Sequence, residues 1–569
     1  MATLQPKKVH GHTYWQIVES RRVNGKPRPI VLKHLGKAED LLALLQGSST
    51  PVQADIREFG AIAAAWLAAQ DLKLAEIIQN NCPKRDQGQS VAHYVLTAAI
   101  NRIVQPQSKA RIAAWYQQSV LARLKPMRSQ QLTSQRFWDH FDYLEEKDLD
   151  AIEEELSRDL VQNHAVDLES LFFDATNFDS FIDSANPARL PQRGHAKSKR
   201  SDLRIVGLAL LASSDFHIPL FWKVYPGNQA DSITFANALP SLAKRHRQWC
   251  QGSEKQITLV FDKGNNSEEN IAFLSRTPFR IVGSLVPSQH ADLLAIPQGA
   301  FNRLPERFGK TWAHRTSKEV FGRKWTIVVT LSANLRRGQL RGIRQHLRKR
   351  ILLLEQLKKK IERSKRPQAR GKPYTKQSLL KHVQTLTSGQ YIKDILRVTI
   401  QENNGKWHLR HRIDRKALAH LKKNILGKRI LFTDHDEWDE GRIVDAYRGQ
   451  HHVERAFRDL KSNDLIRFAP MYHWTDSKIR VHALCCVLAL ILVGVIHRKV
   501  VRAGLDISRE TLVRELKGIR QVITLYPPAP GNMEKRKAGR PRAKVILSRT
   551  SALQKQLIDV LELGRCLPS

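Results

Sequence analysis

The sequence predicts an α/β protein whose central sheet is interrupted by an inserted α+β segment. Three observations favour this fold class. Short apolar runs typical of buried strands alternate with helical patterns in the middle of the chain, amphipathic helices fill the stretch before them, and a long basic helix lies after them. Because 569 residues are too many for one compact core, we expect several domains.

The N-terminal residues predict a small basic β module. Two β-like runs, at 14–19 and 29–35, flank Asn24 and Gly25, a dipeptide that favours a tight hairpin turn. From residue 51 to 166 the apolar positions recur every three or four residues, which predicts a helical domain.

Residues 167–288 show the element order of a ribonuclease-H-like core. Three predicted strands come first, and a helix, a strand, a second helix and a fifth strand follow. In such a core the acidic residues lie on neighbouring strands. The predicted strands are 168–174, 203–213, 218–225, 256–262 and 279–286.

The core pattern breaks off near Pro287, and residues 289–440 predict an α+β insertion domain. Its long helix carries apolar residues every three or four positions from Leu340 to Ile361 and cations on its other faces. These cations either contact a polyanion or form an ordinary solvated face, and the sequence is equally consistent with both.

The core resumes at residues 441–505. A helix is predicted at 445–462, and the apolar run 481–496 that follows is shorter than the roughly 20 residues that cross a bilayer. It therefore predicts a helix buried in the protein. Residues 506–569 form a basic tail, in which 534–544 either resembles a minor-groove AT-hook or serves as a flexible basic tether.

The charge balance predicts a nucleic-acid partner. Lys and Arg number 94 against 54 Asp and Glu, for a formal net charge of +40, and such a surface attracts polyanions. A membrane surface also attracts cations, but here they extend over the whole chain and residues 1–12 lack the apolar stretch of a signal peptide. The five cysteines have no CxxC spacing, so we expect neither a zinc site nor disulfides, and we expect a cytoplasmic protein.

Three carboxylates lie in the settings that a two-metal site needs. Asp174 and Asp262 each end an apolar run that predicts a buried strand, and Glu454 lies in a helical stretch rich in cations and aromatic residues. Such carboxylates can hold two Mg²⁺ ions roughly 3.5–4 Å apart, with Mn²⁺ as the alternative, for phosphodiester cleavage. Asp174 would bridge both ions, and the other two acids would each anchor one. Taken singly, a strand-end Asp is also a common turn or helix cap.

Four blocks of sequence follow one another in a known order: FFDAT at 172–176, YPGNQADS at 225–232, VFDKG at 260–264 and the helical stretch 447–461. Together with the N-terminal hairpin they resemble the DDE transposases of the insertion-sequence-4 superfamily, and most closely its 1634 group. The resemblance covers nearly the whole chain. It implies cut-and-paste movement of DNA by metal-dependent cleavage and strand transfer.

The helical stretch matches three of the four positions of that superfamily's signature helix. Tyr447, Glu454 and Lys461 follow one another at intervals of seven residues, whereas the Arg position of the signature is Gln450. The resemblance implies that Lys461 contacts a DNA phosphate near the cut and that Tyr447 contacts or stacks on the terminal nucleotide. A surface cation and a core aromatic are the ordinary alternatives for these two positions.

Two arginines are candidates for the missing phosphate contact. Arg448 points to a different helical face, and Arg458, one turn beyond the predicted catalytic Glu, is the nearer candidate. His451 and His452 are sequence neighbours on a predicted helix and should point apart, which favours a surface pair over a shared metal. The other residues with weaker predictions are Asn228 and Asp231, as orienting or turn residues, and Trp312, Trp325 and Trp407, as base-stacking or core residues.

These residues predict a bacterial insertion-sequence transposase. We expect double-stranded DNA as its partner, both transposon ends and target, and a homodimer across paired ends, in association with the nucleoid and not with a membrane. A nuclease without strand transfer and a catalytically inactive DNA-binding regulator are the alternatives. The predicted domains are a basic β module at 1–50, a helical DNA-binding and dimerisation domain at 51–166, the core at 167–288 and 441–505, an insertion at 289–440 and a tail at 506–569.

Overall fold

The computed structural model describes residues 2–23, 26–46, 51, 53–82, 88–251, 255–363, 374–403, 406–526 and 542–568. The protein has a mixed α/β fold with a large mixed sheet. The chain divides into two compact units, one formed by residues 1–152 with 459–569 and the other by residues 153–458.

The strands and helices are numbered in chain order. The strands are β1 Ala2–Val9, β2 His12–Val23, β3 Lys26–Lys37, β4 Gln53–Glu58, β5 Ser170–Ser180, β6 Arg204–Ser213, β7 Pro219–Pro226, β8 Thr258–Phe261, β9 Arg280–Leu285, β10 Asn302–Arg303, β11 Thr311–Val320, β12 Arg323–Ser332, β13 Leu396–Asn403, β14 Lys406–Ile413, β15 Lys428–Thr433, β16 Arg520–Tyr526 and β17 Arg542–Leu547. The α-helices are α1 Ala38–Gln46, α2 Gly60–Asp71, α3 Leu74–Asn81, α4 Val91–Val104, α5 Lys109–Gln117, α6 Leu121–Leu124, α7 Ser134–Phe141, α8 Glu146–Gln162, α9 Asp231–Cys250, α10 Glu268–Leu274, α11 Ala291–Ala295, α12 Ala333–Arg363, α13 Lys376–Thr387, α14 Ile392–Ile395, α15 Arg415–His420, α16 Glu440–Arg448, α17 His451–Lys461, α18 Asp476–Arg502, α19 Arg509–Gly518 and α20 Ala552–Val560.

The first unit contains two small antiparallel sheets. Strands β1, β2 and β3 form one of them, and the register that pairs Val18 with Val31 confirms the predicted N-terminal hairpin. Its turn, Asn24 and Gly25, lies outside the described residues. The other sheet joins β4 to the C-terminal strands β16 and β17. Most of the predicted basic tether at 534–544 also lies outside the described residues.

Helix α18 forms the centre of the first unit and confirms the predicted buried helix. Its apolar residues pack against α2 and α4, and 89% of its most apolar 18-residue window is buried in the protein. By length and composition alone the helix is also long enough to cross a membrane. All five cysteines are buried and free.

The second unit is built on a nine-stranded mixed sheet. At one side of this sheet the strands lie in the order β7-β6-β5-β8-β9, with β5, β8 and β9 parallel and β6 and β7 antiparallel to their neighbours. All five strands predicted for residues 167–288 are therefore present. The first of them is longer than predicted, because β5 continues beyond Asp174 to Ser180.

The same sheet continues into the segment predicted as an insertion. Strand β15 pairs antiparallel with β9, and β12, β11 and β10 follow in that order. The pairing of Leu431 with Ser284 shows how residues far apart in sequence become neighbours. The sequence patterns did not indicate that these strands extend the central sheet.

Helix α12 has its own small core. The apolar stripe predicted along it packs against α13 and the β13–β14 hairpin, and Ile343, Leu347 and Leu354 are among its buried residues. The arginines on its other faces are largely exposed. The stripe thus serves local packing and leaves the cationic faces at the surface.

The helix predicted at 445–462 is two helices, and the prediction of one continuous helix was wrong. Helix α16 ends at Arg448 and α17 begins at His451. Gly449 lies between them against Phe172, where a Cβ atom would come within 2.3 Å of the aromatic ring. Only glycine fits this position without displacing the ring, and the close approach holds the break against the central sheet.

Candidate active site

The two aspartates meet at one edge of the central sheet. Phe173 of β5 lies opposite Phe261 of β8 in a parallel register, so Asp174 and Asp262, the next residue on each strand, emerge side by side. A cavity of about 380 Å³ opens at this edge, and Asp174, Asp262 and Glu454 all line it. The tertiary structure therefore brings the three predicted acids to one cavity.

Asp262 is held by three hydrogen-bond donors. Its Oδ1 atom accepts hydrogen bonds from the Ser284 hydroxyl at 2.8 Å and from the Tyr447 hydroxyl at 2.9 Å. Burial by itself raises the pKa of this carboxyl group, but the backbone N–H of Lys263 and the two hydroxyls outweigh burial and leave the pKa below its ordinary value. Asp262 is therefore an oriented, ionised carboxylate.

Asp174 lies in a different electrostatic environment. Its pKa is raised from an ordinary 3.8 to about 6, mainly by burial and also by the nearby charges of Asp231 and Asp262, although Lys197 and the backbone N–H of Ala175 act in the opposite direction. Closely spaced buried carboxylates repel one another, and a divalent cation between them removes that repulsion. The pKa of Asp174 therefore indicates a position suited to a cation.

Asp231 belongs to the same acidic edge. It is the first residue of α9, and its carboxylate lies 3.5 Å from the position of a Cβ atom built on Gly264, in the turn just after Asp262. Its charge raises the pKa of Asp174. The sequence suggested only an orienting or turn role for Asp231, because its distance from Asp174 depends on how α9 packs on the sheet.

Glu454 lies on the first turn of α17, is exposed to solvent and lines the cavity. In the described part of the chain, no three His, Cys, Asp or Glu side chains are grouped as a complete metal-ligand set. Mg²⁺ commonly takes one or two protein carboxylates and completes its octahedron with water and substrate phosphates. The pair formed by Asp174 and Asp262 suits that chemistry, with Glu454 facing the same space.

Tyr447 is a core residue of the site. Its ring is 6% exposed, the Arg429 guanidinium lies 5.0 Å from the ring centroid, and its hydroxyl contacts both Asp262 and Ser284. The Tyr447 hydroxyl thus orients the Asp262 carboxylate. Sequence reasoning left its role open and missed Ser284 and Arg429, neither of which carries a motif signal.

Several cations surround the acids. The Arg448 guanidinium lines the cavity and donates hydrogen bonds to the Phe308 carbonyl and the Thr311 hydroxyl. Arg458 and Lys461 are exposed on α17, but neither lines this cavity. The further cations in the cavity wall are Lys263, Lys428 and Arg429.

Gln450 occupies the position of the signature arginine. It lines the cavity, and its side-chain Nε2 atom is buried without a hydrogen-bond partner among the described residues. An amide N–H in this state is available to a ligand. The sequence indicated that a phosphate contact is missing at this position, because the signature arginine is absent. In the structure the Gln450 amide is a neutral hydrogen-bond donor there.

The prediction that His451 and His452 point apart was wrong. Their ring centroids are 4.1 Å apart, and the His452 Nδ1 atom lies 2.6 Å from the Nδ1 atom of His217. Because His451 is the first residue of α17, directly after the break at Gly449, the pair does not follow the geometry of a continuous helix. Burial lowers the pKa of His452 to about 4, so this ring is neutral at pH 7.

Comparison with known proteins gives one family match. Residues 4–66 match the N-terminal domain of the IS1634 family transposases, which supports an insertion-sequence transposase. No curated protein matches the chain. Among solved structures, the cryo-EM structure of the piggyBac transposase synaptic complex with hairpin DNA is similar over 82% of each chain, with 9% sequence identity and a TM-score of 0.36.

Proposed function

We propose that this protein is a DDE transposase of the insertion-sequence-4 superfamily. It binds the terminal inverted repeats of an insertion sequence and catalyses Mg²⁺-dependent DNA cleavage and strand transfer. The observation that carries the proposal is the presence of Asp174, Asp262 and Glu454 in one cavity. The family match at residues 4–66 supports it independently, because that segment contributes none of the three acids.

The strand order supports a ribonuclease-H-like core. Of the five strands in the order β7-β6-β5-β8-β9, the one that comes first along the chain, β5, lies at the centre, with two antiparallel strands on one side of it and two parallel strands on the other. The strands that precede Asp174 and Asp262, β5 and β8, are neighbours in this order, in agreement with the prediction that the acids lie on neighbouring strands. Tyr447 and Glu454, on the consecutive helices α16 and α17, both line the same cavity, which supports the proposal further.

Asp174, Asp262 and Glu454 would hold the metal ions, Mg²⁺ or Mn²⁺. When bound, a metal pair supplies an activated attacking oxygen and stabilises the leaving oxygen in phosphoryl transfer. Ser284 and Tyr447 keep Asp262 ionised and oriented for this task.

The cationic wall of the cavity suits a phosphodiester substrate. Lys263, Arg429 and Arg448 supply positive charge beside the acids, and charge of this kind attracts the DNA backbone. Gln450 donates a hydrogen bond to a phosphate oxygen in place of the signature arginine. Arg458 and Lys461, both exposed on α17, contact the DNA beyond the cut.

The whole protein acts on double-stranded DNA, on transposon ends and on target, as a homodimer in the bacterial cytoplasm. The formal charge of +40 predicts that DNA binding weakens steeply with salt, because each neutralised phosphate releases counterions.

The test compares Asp262→Asn with Asp434→Asn. Asp434 also directly follows a core strand, β15, and accepts a hydrogen bond from the backbone N–H of Ile281 at 2.8 Å, but it does not line the cavity. The DNA is a pre-nicked end fragment taken from the sequence that flanks the gene, incubated with Mg²⁺ and a target plasmid. We expect Asp262→Asn to lose joined products and Asp434→Asn to retain them.

The products distinguish the alternatives. Cut DNA without joined products from the parent protein would identify a nuclease without strand transfer. Binding without any cleavage by the parent protein would identify a regulator. Equal joining by the parent and by Asp262→Asn would refute the metal role of this acid.

A further inference from the structure

A second cavity, of about 610 Å³, lies within the first unit and shares no lining residue with the acidic cavity. Four cationic side chains line it: Arg102, Lys109, Arg111 and Arg467. None of the described residues that line it is an Asp or a Glu. A concave surface that carries positive charge without negative charge favours an anionic ligand.

Lys109 is the least usual of these cations. Its side chain is 6% exposed, and its ammonium group lies 6.0 Å and 5.7 Å from the ring centroids of Phe137 and Phe141. Within the described chain it forms no ion pair. Burial lowers its pKa to about 8, which leaves most of the ammonium groups charged at pH 7. A buried cation without a carboxylate is unfavourable unless an anion is supplied from outside.

The backbone adds positive potential at the same place. Helix α5 begins at Lys109, and the side chain of its N-cap residue, Ser108, makes no capping hydrogen bond. The free N–H groups of a first helical turn and the positive end of the helix dipole form a common anion site. Ser108 and Lys109 both line the cavity, so the helix N-terminus and the buried ammonium group belong to one site.

Part of the cavity wall is aromatic. Tyr472 lines the cavity and is 61% exposed, and Trp474, two residues further, is 66% exposed. The Arg102 guanidinium donates a hydrogen bond of 3.2 Å to the Arg467 carbonyl and thereby holds two of the cations beside this segment. Exposed aromatic rings beside cations are typical of surfaces that bind unpaired nucleotides, because the faces of paired bases are already stacked.

We propose that this cavity binds one unpaired nucleotide of DNA. Its phosphate contacts Lys109, Arg111, Arg467 and the N-terminus of α5, and its base stacks on the ring of Tyr472. The inference rests on the proposed function in taking DNA as the polyanion. It adds a nucleotide site that shares no lining residue with the acidic cavity.

The experiment measures binding of a fluorescent single-stranded thymidine oligonucleotide to the full chain at several salt concentrations, with a blunt duplex as the second probe. We expect Lys109→Met to bind the oligonucleotide about tenfold more weakly, as for the loss of one charged hydrogen bond. The dependence of log affinity on log salt should become less steep by about 0.7 for each phosphate that the variant no longer neutralises.

The controls separate binding from folding. Lys109→Met should melt at the same temperature as the parent or higher, because it removes an unpaired buried charge. Arg111→Gln, at an exposed position, tests the same phosphate contact without any change to the core. Lys555→Met removes the same charge from an exposed position on α20 in the same unit and should leave binding unchanged.

Three results would overturn the proposal. Lys109→Met and Arg111→Gln could both keep the affinity and salt dependence of the parent. Tyr472→Leu could weaken duplex and single-strand binding equally, which would exclude base stacking. Micromolar deoxythymidine monophosphate could displace the oligonucleotide, which would identify a free-nucleotide site. Loss of joining in Asp262→Asn alongside any of these results would leave the proposed function standing.

Discussion

Replacing Asp174 with Asn should stabilise the metal-free protein at neutral pH. The pKa of this carboxyl group rises from an ordinary 3.8 to about 6 in the folded protein, mainly through burial. At about 1.4 kcal/mol for each pKa unit, this difference corresponds to about 3 kcal/mol of stability that the ionised carboxylate removes. Asn has nearly the same shape and carries no charge, so Asp174→Asn should recover most of that free energy.

The sign of the effect sets its pH window. Because the folded pKa lies above the unfolded one, the folded state binds more protons between pH 4 and 6, and the parent protein loses stability as pH rises through this range. Above about pH 6 the loss is complete. The free energy of unfolding of Asp174→Asn should therefore equal that of the parent near pH 3.8 and exceed it by about 3 kcal/mol at pH 7.

The assay is urea unfolding in EDTA at pH 4, 5, 6 and 7, followed by circular dichroism, for the parent and for Asp174→Asn. Addition of Mg²⁺ at pH 7 should reduce the difference in free energy of unfolding between the two proteins. A bound cation stabilises the parent, whose site holds the carboxylate, and binds more weakly to the variant. A constant difference between the two proteins from pH 4 to 7 would refute the argument. So would a variant less stable than the parent at pH 7 in EDTA.

Three other predictions concern hydrogen bonding, an ion pair and a helix. Tyr447→Phe should lower stability by about 1.5–3 kcal/mol above pH 4 and by less at lower pH, because the hydrogen bond to ionised Asp262 is lost as the carboxylate protonates. Arg245→Met should lower the free energy of unfolding, measured in urea, by about 3–5 kcal/mol. The substitution leaves the carboxylate of Glu153, the buried partner of Arg245 at 3.1 Å, without this counter-charge. Gly338→Ala should raise the stability of α12 by about 1 kcal/mol in the same assay, since a Cβ atom there meets nothing within 4 Å.

The first two of these predictions have matched controls. Tyr225→Phe removes a hydroxyl that donates to the neutral Thr176 carbonyl at 3.3 Å, so its effect should not vary with pH in the acidic range. Arg200→Met breaks an exposed ion pair with Asp202 and should have little effect on unfolding. A pH-independent loss in Tyr447→Phe, an equal loss for both arginine variants, or a destabilised Gly338→Ala would contradict the corresponding argument.

Much of the local structure was predictable from the sequence, because it depends on contacts close in the chain. The Asn-Gly hairpin, the apolar strands of residues 167–288 and the buried α18 are each encoded by a pattern that spans a few turns or one strand. The break at Gly449 was not predictable. A helical pattern continues through it, and the contact that requires glycine at this position is with the ring of Phe172, 277 residues earlier in the chain.

The sequence by itself determined which residue types are present for the chemistry: two acids after apolar strands, an acid in a cationic helix, and a basic chain overall. Only the tertiary structure decided which of them meet. The parallel register of β5 and β8 brings Asp174 beside Asp262, and α16 carries the Tyr447 hydroxyl to within 2.9 Å of a residue 185 positions away. Strand pairing and helix packing set such distances, and the burial that follows shifts the pKa of Asp174, so neither could be derived from spacing along the chain.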